Sequence, residues 1–129
     1  MDCPSCEMVG GLWKLDDGTV RCTNASASCG FTIDEKTFWQ LDRARLVDCA
    51  GDQRVVYYVQ FRDVVKIGTT ADLHRRLRGI PHERLLAIEF GGRELEVQRH
   101  AQFAEYRRVG EWFTACPQLD NHVRQLRAA

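Results

Sequence analysis

Three side chains with usable chemistry fall within one stretch, VVYYVQFRDVVKIGTTADLHRRLRGI, from Val55 to Ile80. Tyr57 brings a phenol, Lys66 an amine and Arg76 a guanidinium, so proton transfer and neutralisation of negative charge are both available there. A second set, Cys3, Cys6, Cys22 and Cys29, is of another kind. The two-residue gap in CPSC lets both thiolates reach one tetrahedral ion, and the second pair follows a turn at Asp16-Asp17-Gly18. A zinc ribbon over residues 1–33 with a structural Zn²⁺ is the expected reading. The TNASAS gap before Cys29 is longer than a usual knuckle, and a pair of disulfides is the alternative. A module of this size has little core, so the ion would supply much of its folding energy. Four thiolates close the site and leave no open position for water. Cys49 and Cys116 lack partners at ligand spacing and are expected as buried small hydrophobes.

The elements that position the first set follow from periodicity. Val55 to Phe61 and Val64 to Gly68 are rich in valine and aromatic residues and flank Arg62-Asp63, which suits a two-residue hairpin. That turn pairs Phe61 with Val64, Val59 with Lys66 and Tyr57 with Gly68, so a phenol and an amine share one face. An odd-length loop would put them on opposite faces. Gly68 opposite Tyr57 leaves room for a close approach. The next segment, capped by Thr70 or Asp72 and stopped by Pro81, is a helix with Leu73, Leu77 and Ile80 on one stripe. Arg76 sits at the margin of that stripe, half buried, while Arg75 and Arg78 point away.

Composition sets the frame. The chain has 129 residues and 44% hydrophobic content, enough for one ordinary domain or a small domain plus a small module. There is no signal peptide, bilayer-length apolar run or low-complexity tract, so an intracellular, cytoplasmic protein without a membrane partner is expected. The formal charge is zero but uneven. Before residue 50 there are five Lys/Arg against eight Asp/Glu, or −3; from residue 50 onward there are thirteen against ten, or +3. Strong sequence-independent DNA affinity normally comes with a more basic surface.

Residues 34–50 read as a connecting helix, drawn from Phe31 to Asp48 with Asp34 as cap, whose Phe38, Trp39, Leu41 and Leu46 pack between the halves. Ala50-Gly51-Asp52 marks a domain boundary. Leu85 to Phe90 is a third strand, ended by Gly91-Gly92. Arg93 to Arg108 reads as one helix with Leu95, Arg99, Phe103 and Tyr106 on one side. Glu96, His100, Phe103 and Arg107 form a strip along the edge of that face, and a solvated carboxylate in surface pairs is the bland account of it. GEWF, Gly110 to Phe113, caps this helix and returns apolar bulk to the core. Pro117 to Ala129 is a terminal helix with little chemical signal.

Together these pieces resemble the GIY-YIG nuclease superfamily, and within it the small phage-encoded and meiotically-up-regulated-gene type. The text that carries the likeness is VYYVQ, VKIGTT, DLHRRL, RLLAIEF, GGRELEVQRHAQF and RRVGEWF, in that order, up to Phe113. The resemblance implies an α+β fold: a GIY-YIG-type domain over residues 51–129, with a three-stranded antiparallel sheet flanked by helices, behind the zinc ribbon. It places Tyr57 at the tyrosine of the first motif, and Lys66 where the second motif usually has another. Arg76 matches the helix arginine, Glu96 the metal-binding glutamate and His100 the histidine of the branch's LH pair. Glu111 lies near a position where other branches have asparagine.

What the resemblance implies is a metal-dependent DNA endonuclease, bacterial or phage-encoded. Phosphodiester hydrolysis needs an activated water, charge neutralisation on the non-bridging oxygens and help for the departing 3′ oxygen. On this reading Glu96 holds one Mg²⁺ or Mn²⁺ and Arg76 clamps the scissile phosphate. Tyr57 is the general base, directly or through Lys66; alternatively a deprotonated Lys66 is the base and Tyr57 orients the water. Arg75, Arg78 and Arg107 are the expected DNA contacts. Two rival classes stand beside it: a non-catalytic nucleic-acid- or protein-binding module on the same fold, regulatory or defence-related, and a redox factor resting on the six cysteines alone. A homodimer or protein partner is left open.

Overall fold

The computed structural model describes Cys6 and residues 12–14, 19–22 and 29–128, with 12–14 described by backbone alone. The chain divides into two compact units, Met1–Asp42 and Arg43–Ala129, and the division falls inside the connecting helix.

In the first unit, β1 (Leu12–Lys14), β2 (Thr19–Cys22) and β3 (Thr32–Asp34) form a small antiparallel sheet in that order. Alternation along β2 turns Val20 and Cys22 inward, where Cys6, Cys29, Phe31, Ile33 and Phe38 gather round them. Cys3 and the expected turn at Asp16-Asp17-Gly18 lie outside the described residues. Helix α1 (Glu35–Ala50) begins where Asp34 accepts a 2.7 Å bond from the Thr37 amide, the expected cap. Leu41, expected to be packed, is exposed, as is Cys49. Cys116 is partly buried.

In the second unit, β4 (Val55–Phe61), β5 (Val64–Thr70), β6 (Arg84–Phe90), β7 (Arg107–Val109) and β8 (Trp112–Thr114) form one antiparallel sheet in the order β6-β4-β5-β8-β7. The β4–β5 register is the one the two-residue turn demands: Phe61 opposite Val64, Val59 opposite Lys66, Tyr57 opposite Gly68. Arg62 takes φ +55° to make that turn. The central strand β4 is covered on both sides. Val55, Tyr57 and Val59 face a core built with Leu46 and Ala50 of α1, with Leu73 and Leu77 of α2 (Leu73–Arg78), and with Ile80 and Leu85. Val56 and Tyr58 face Phe103, Phe113 and the apolar side of α4 (Pro117–Ala128). A shift in the β4–β6 pairing between Tyr58 and Val59 leaves Leu86 as an extra residue, so Leu86 and Ala87 serve the same face while Leu85 and Ile88 serve the other.

Two expectations are corrected here. The sheet has five strands, not three, because the GEWF region does not cap a helix: Trp112–Thr114 pairs with β5, and Arg107–Val109 pairs with that strand in turn. Helix α3 accordingly runs only over Arg93–Gln102 and passes through a short 3₁₀ turn at Ala104–Tyr106. Gly110, at φ +55°, makes the turn that brings Trp112 back beside Val109. Arg107 therefore lies on an edge strand, its Nε bonded to the Gly110 carbonyl, and not on a helical strip with Glu96 and His100. No helix among the described residues is long and apolar enough to cross a membrane.

Candidate functional site

The site grows from the Tyr57–Gly68 rung. Alternation places Tyr57, Val59 and Phe61 of β4 on one face with Gly68, Lys66 and Val64 of β5. Gly68 is required by closeness, since a β-carbon there would stand 2.5 Å from the Tyr57 Oη and 2.6 Å from its Cζ. The phenol thus lies across the backbone of the neighbouring strand and is itself fully buried.

Helix α2 delivers the guanidinium. Thr70 and Asp72 both act at its start: the Thr70 hydroxyl takes the Asp72 amide at 3.0 Å, and Asp72 Oδ1 takes the Arg75 amide at 3.1 Å. With Leu73 and Leu77 buried, Arg76 comes to the edge of the stripe and its Nε donates to the Tyr57 hydroxyl at 3.2 Å. Arg76 was expected to be half buried. It is largely exposed, and only its Nε reaches in. Arg75 and Arg78 are exposed, as expected.

Glu111 is the residue that sequence reasoning undervalued. Its carbonyl accepts the Ile67 amide at 3.0 Å, so the entry to β8 is tied to β5. Its carboxylate pairs with Lys66 at 3.3 Å, and an added Gly68 β-carbon would lie 3.2 Å from Glu111 Oε2. Lys66 also stands 5.6 Å from the Trp112 ring centre. Tyr57 and Glu111 therefore meet over one glycine, with Arg76 bonded to the first and Lys66 paired with the second. The pairing Val109–Gly110–Glu111–Trp112, a glycine turn between two apolar residues, was the signal that could have placed Glu111 there.

Glu96 completes the group from the first turn of α3, where an acidic side chain suits the helix dipole. Its carboxylate acts electrostatically on both Tyr57 and Arg76. Among the described residues it has no side-chain hydrogen bond or ion pair. His100, one turn on, does not join the cluster. Its Nε2 lies 2.7 Å from the Ile67 carbonyl and its ring packs on Phe113. Ile67 points both its amide and its carbonyl toward β8. Glu111 takes the amide, and the carbonyl, beyond the last β8 pair at Lys66–Trp112, is left for His100. Because a carbonyl only accepts, Nε2 donates, and His100 fastens α3 to β5.

Burial pushes the Tyr57 phenol above its ordinary value; the bond and charge of Arg76 oppose this, while Glu111 and Glu96 add to it. The bond to Tyr57 raises Arg76 further, so it is a fixed cation.

On the opposite face is a polar network that sequence reasoning missed. Arg99 forks onto Glu89 at 2.9 and 2.7 Å, Tyr58 donates to Glu89 at 2.5 Å, and His122 Nε2 lies 2.9 Å from the Tyr58 hydroxyl. Burial raises Glu89, but the bonds from Arg99 and Tyr58 outweigh it and hold the carboxyl below its usual range. Burial, with Arg99 nearby, lowers His122.

In the first unit, Cys6, Cys22 and Cys29 bring their sulfurs within 4.8 Å of one another, and Cys6 and Cys22 are 3.6 Å apart. None of the three forms a disulfide. That separation is far beyond a disulfide bond. It matches the ~3.8 Å between two thiolates sharing a tetrahedral ion at ~2.3 Å from each. Three thiols so placed could bind a metal ion.

Compared with protein-family models, curated proteins and solved structures, the chain matches none.

Proposed function

We propose that the second unit is a metal-dependent DNA endonuclease of the GIY-YIG type that the sequence resembles. The observation that carries the reading is the meeting of Tyr57 and Glu111 over Gly68, with Arg76 bonded to one, Lys66 paired with the other and an unpaired Glu96 carboxylate acting on Tyr57 and Arg76. Five groups drawn from β4, β5, α2, α3 and the β7–β8 turn meet in an arrangement that a buried core alone does not require.

Each group has work to do in phosphodiester hydrolysis. Arg76 spends Nε on Tyr57, and its two terminal nitrogens, unbonded among the described residues on an exposed side chain, are available to clamp the non-bridging oxygens of a scissile phosphate. Tyr57, fully buried over Gly68, holds the Arg76 guanidinium in place through its hydroxyl oxygen. The raised phenol is protonated at neutral pH, so it does not stand as a phenolate base. The Lys66–Glu111 pair beside it supplies both a cation and a carboxylate acceptor. Glu96 fits a hard divalent ion, because a partly exposed, unpaired carboxylate leaves room for the waters that Mg²⁺ and Mn²⁺ keep. Such an ion supplies Lewis-acid stabilisation of the charge gathering on the phosphate. Arg75, Arg78 and Arg107 are exposed cations available to flanking phosphates. His100 serves as a positioning residue for Glu96. In the first unit we assign Cys6, Cys22 and Cys29, with Cys3 as fourth ligand, to a structural Zn²⁺.

Supercoiled plasmid incubated with Mg²⁺ or Mn²⁺ tests the nuclease reading. Wild type nicks; Glu96→Ala and Tyr57→Phe lose most of the activity. Absence of nicking by wild type, or equal nicking by Glu96→Ala, removes the nuclease reading and favours a non-catalytic binding module. Metal analysis of reduced protein tests the ribbon: one zinc per chain is expected, falling in Cys22→Ser, and protein without zinc overturns it.

A further inference from the structure

The site's own face continues past Lys66 into an apolar groove of about 430 Å³, lined by Phe61, Val64, Pro81, Arg108, Val109 and Trp112. Phe61 and Val64 are the last rung of the hairpin, on the face that carries the Val59–Lys66 and Tyr57–Gly68 rungs. Val64 lies two residues from Lys66, about 7 Å along the strand. Trp112, opposite Lys66, forms the wall shared by groove and site. Val109 leaves 71% of its surface in water, a large apolar exposure on an edge strand.

The rim carries three arginines and three carboxylates. The Arg62 guanidinium stands 5.3 Å from the Phe61 ring centre, and Arg107 and Arg108 project from β7. Asp63, which pairs with Arg108 at 3.0 Å, and Glu83, which accepts the Arg62 amide at 2.8 Å, offset part of that charge, as Glu111 does at the far end. Flat aromatic walls, an arginine over one of them, and continuity with the proposed phosphate clamp suit a ligand that is planar and apolar in its body and anionic along its backbone. A lipid chain or an apolar peptide would use the walls and waste the rim. The volume lies near the lower end of small-ligand pockets, room for a base and its sugar but not for a duplex.

We propose that this groove takes one unstacked nucleobase beside the scissile phosphate, so that the substrate is a strand carrying an unpaired nucleotide next to the cut rather than continuous duplex. The proposal rests on the nuclease reading for the position of the cut. The groove itself is read without cleavage. Fluorescence anisotropy without added Mg²⁺ or Mn²⁺ compares labelled octathymidine with the same oligonucleotide carrying abasic residues at its centre. The phosphate count is unchanged, so electrostatic binding is held constant. Loss of the bases is expected to weaken binding by about fivefold or more. In Phe61→Ala, and in Val109→Asn at an already exposed position, that difference shrinks toward unity.

Equal affinity of wild type for the two oligonucleotides, or no binding of either, overturns the proposal. So does a dimer in sedimentation that Phe61→Ala disperses while base and abasic strands bind alike, for then a second copy of the chain fills the groove. Plasmid nicking with Mg²⁺ separates the two readings. Nicking without discrimination between the oligonucleotides removes the groove proposal alone; discrimination without nicking removes the nuclease reading and leaves the base slot.

Discussion

Gly68→Ala puts the geometry of the site to its most direct test, because two effects of opposite sign are set against each other. Gly68 is a strand residue whose φ is not left-handed, so alanine is conformationally acceptable there. On backbone entropy alone the substitution would stabilise by about 0.4–1 kcal/mol. The added methyl, however, would meet the Tyr57 Oη at 2.5 Å and Cζ at 2.6 Å, against ordinary contact from 3.4 Å. Tyr57 is fully buried among Val55, Val59, Leu73 and Leu77 and cannot swing clear. Overpacking of this kind costs about 1–3 kcal/mol, so a net loss of about 1–2 kcal/mol is expected. The phenol must move by about 1 Å, which disturbs its 3.2 Å bond to Arg76. A displacement of that size, passed on to the Arg76 clamp, lowers turnover by about a hundredfold. Urea unfolding reads the first effect, plasmid nicking the second. In the Tyr57→Val background the same Gly68→Ala change should no longer destabilise, giving a coupling energy of about 1–2 kcal/mol between the two positions. Should Gly68→Ala be as stable as wild type or more so, and nick at the wild-type rate, Tyr57 does not lie over Gly68 and the proposed site loses its centre.

The remaining expectations concern what holds the site in place. His122 titrates below its ordinary value of about 6.5, so the unfolded chain binds the proton first; stability should fall as pH drops from about 6.5 through the lowered folded value, and His122→Gln should flatten the urea midpoint across that range. Glu89, also held low, contributes stability that is present above about pH 4.3 and lost as pH falls through its folded value, so a second decline should follow the first and disappear in Glu89→Gln. Arg99→Leu strands the Glu89 carboxylate beside Tyr58. Because Arg99 keeps 25% of its side chain in water, a loss of about 3 kcal/mol, at the low end for a broken buried pair, is expected in the same unfolding assay. His100→Phe keeps the packing on Phe113 but leaves the Ile67 carbonyl unmet; stability should drop by about 1–3 kcal/mol and nicking should need more Mg²⁺ as Glu96 loses its anchor, whereas lost nicking with unchanged stability and unchanged Mg²⁺ dependence would make His100 part of the reacting set.

Much of the site was legible because it is local. The hairpin register follows from two residues, Arg62 and Asp63, and fixes the face shared by Tyr57, Lys66 and Gly68. The α2 cap and stripe fix Arg76. The failures began where local periodicity was satisfied by the wrong element. Glu96, His100, Phe103 and Arg107 meet a helical spacing, yet α3 ends at Gln102, and the residues after it pair as strands of three residues each, too short to show an alternation. The position of Glu111 depended on that pairing, so it was lost with it.

The Tyr58 network was hidden for a different reason. Alternation assigns a strand one wet face, but Val55 through Val59 are all fully buried, because β4 is central and both its faces are covered. Tyr58 therefore needs a partner for its hydroxyl on the side that periodicity cannot see, and it finds Glu89 and His122 on β6 and α4. This network and the proposed site share one strand, with Tyr57 and Tyr58 as consecutive residues on opposite faces. Arg99 and His100, also consecutive, fasten α3 to Glu89 of β6 and to Ile67 of β5. Glu96 thus projects from a helix held to the sheet at two points one turn away. That rigidity gives the network a use beyond its modest net energy: a buried ionic group whose contribution to stability is small can still fix one arrangement of α3 against the sheet. On this reasoning Arg99→Leu should widen the placement of Glu96 before it abolishes the fold, and its nicking should be rescued in part by raised Mn²⁺. Loss of activity that tracks unfolded fraction alone, with no Mn²⁺ response, would leave the network a purely structural one.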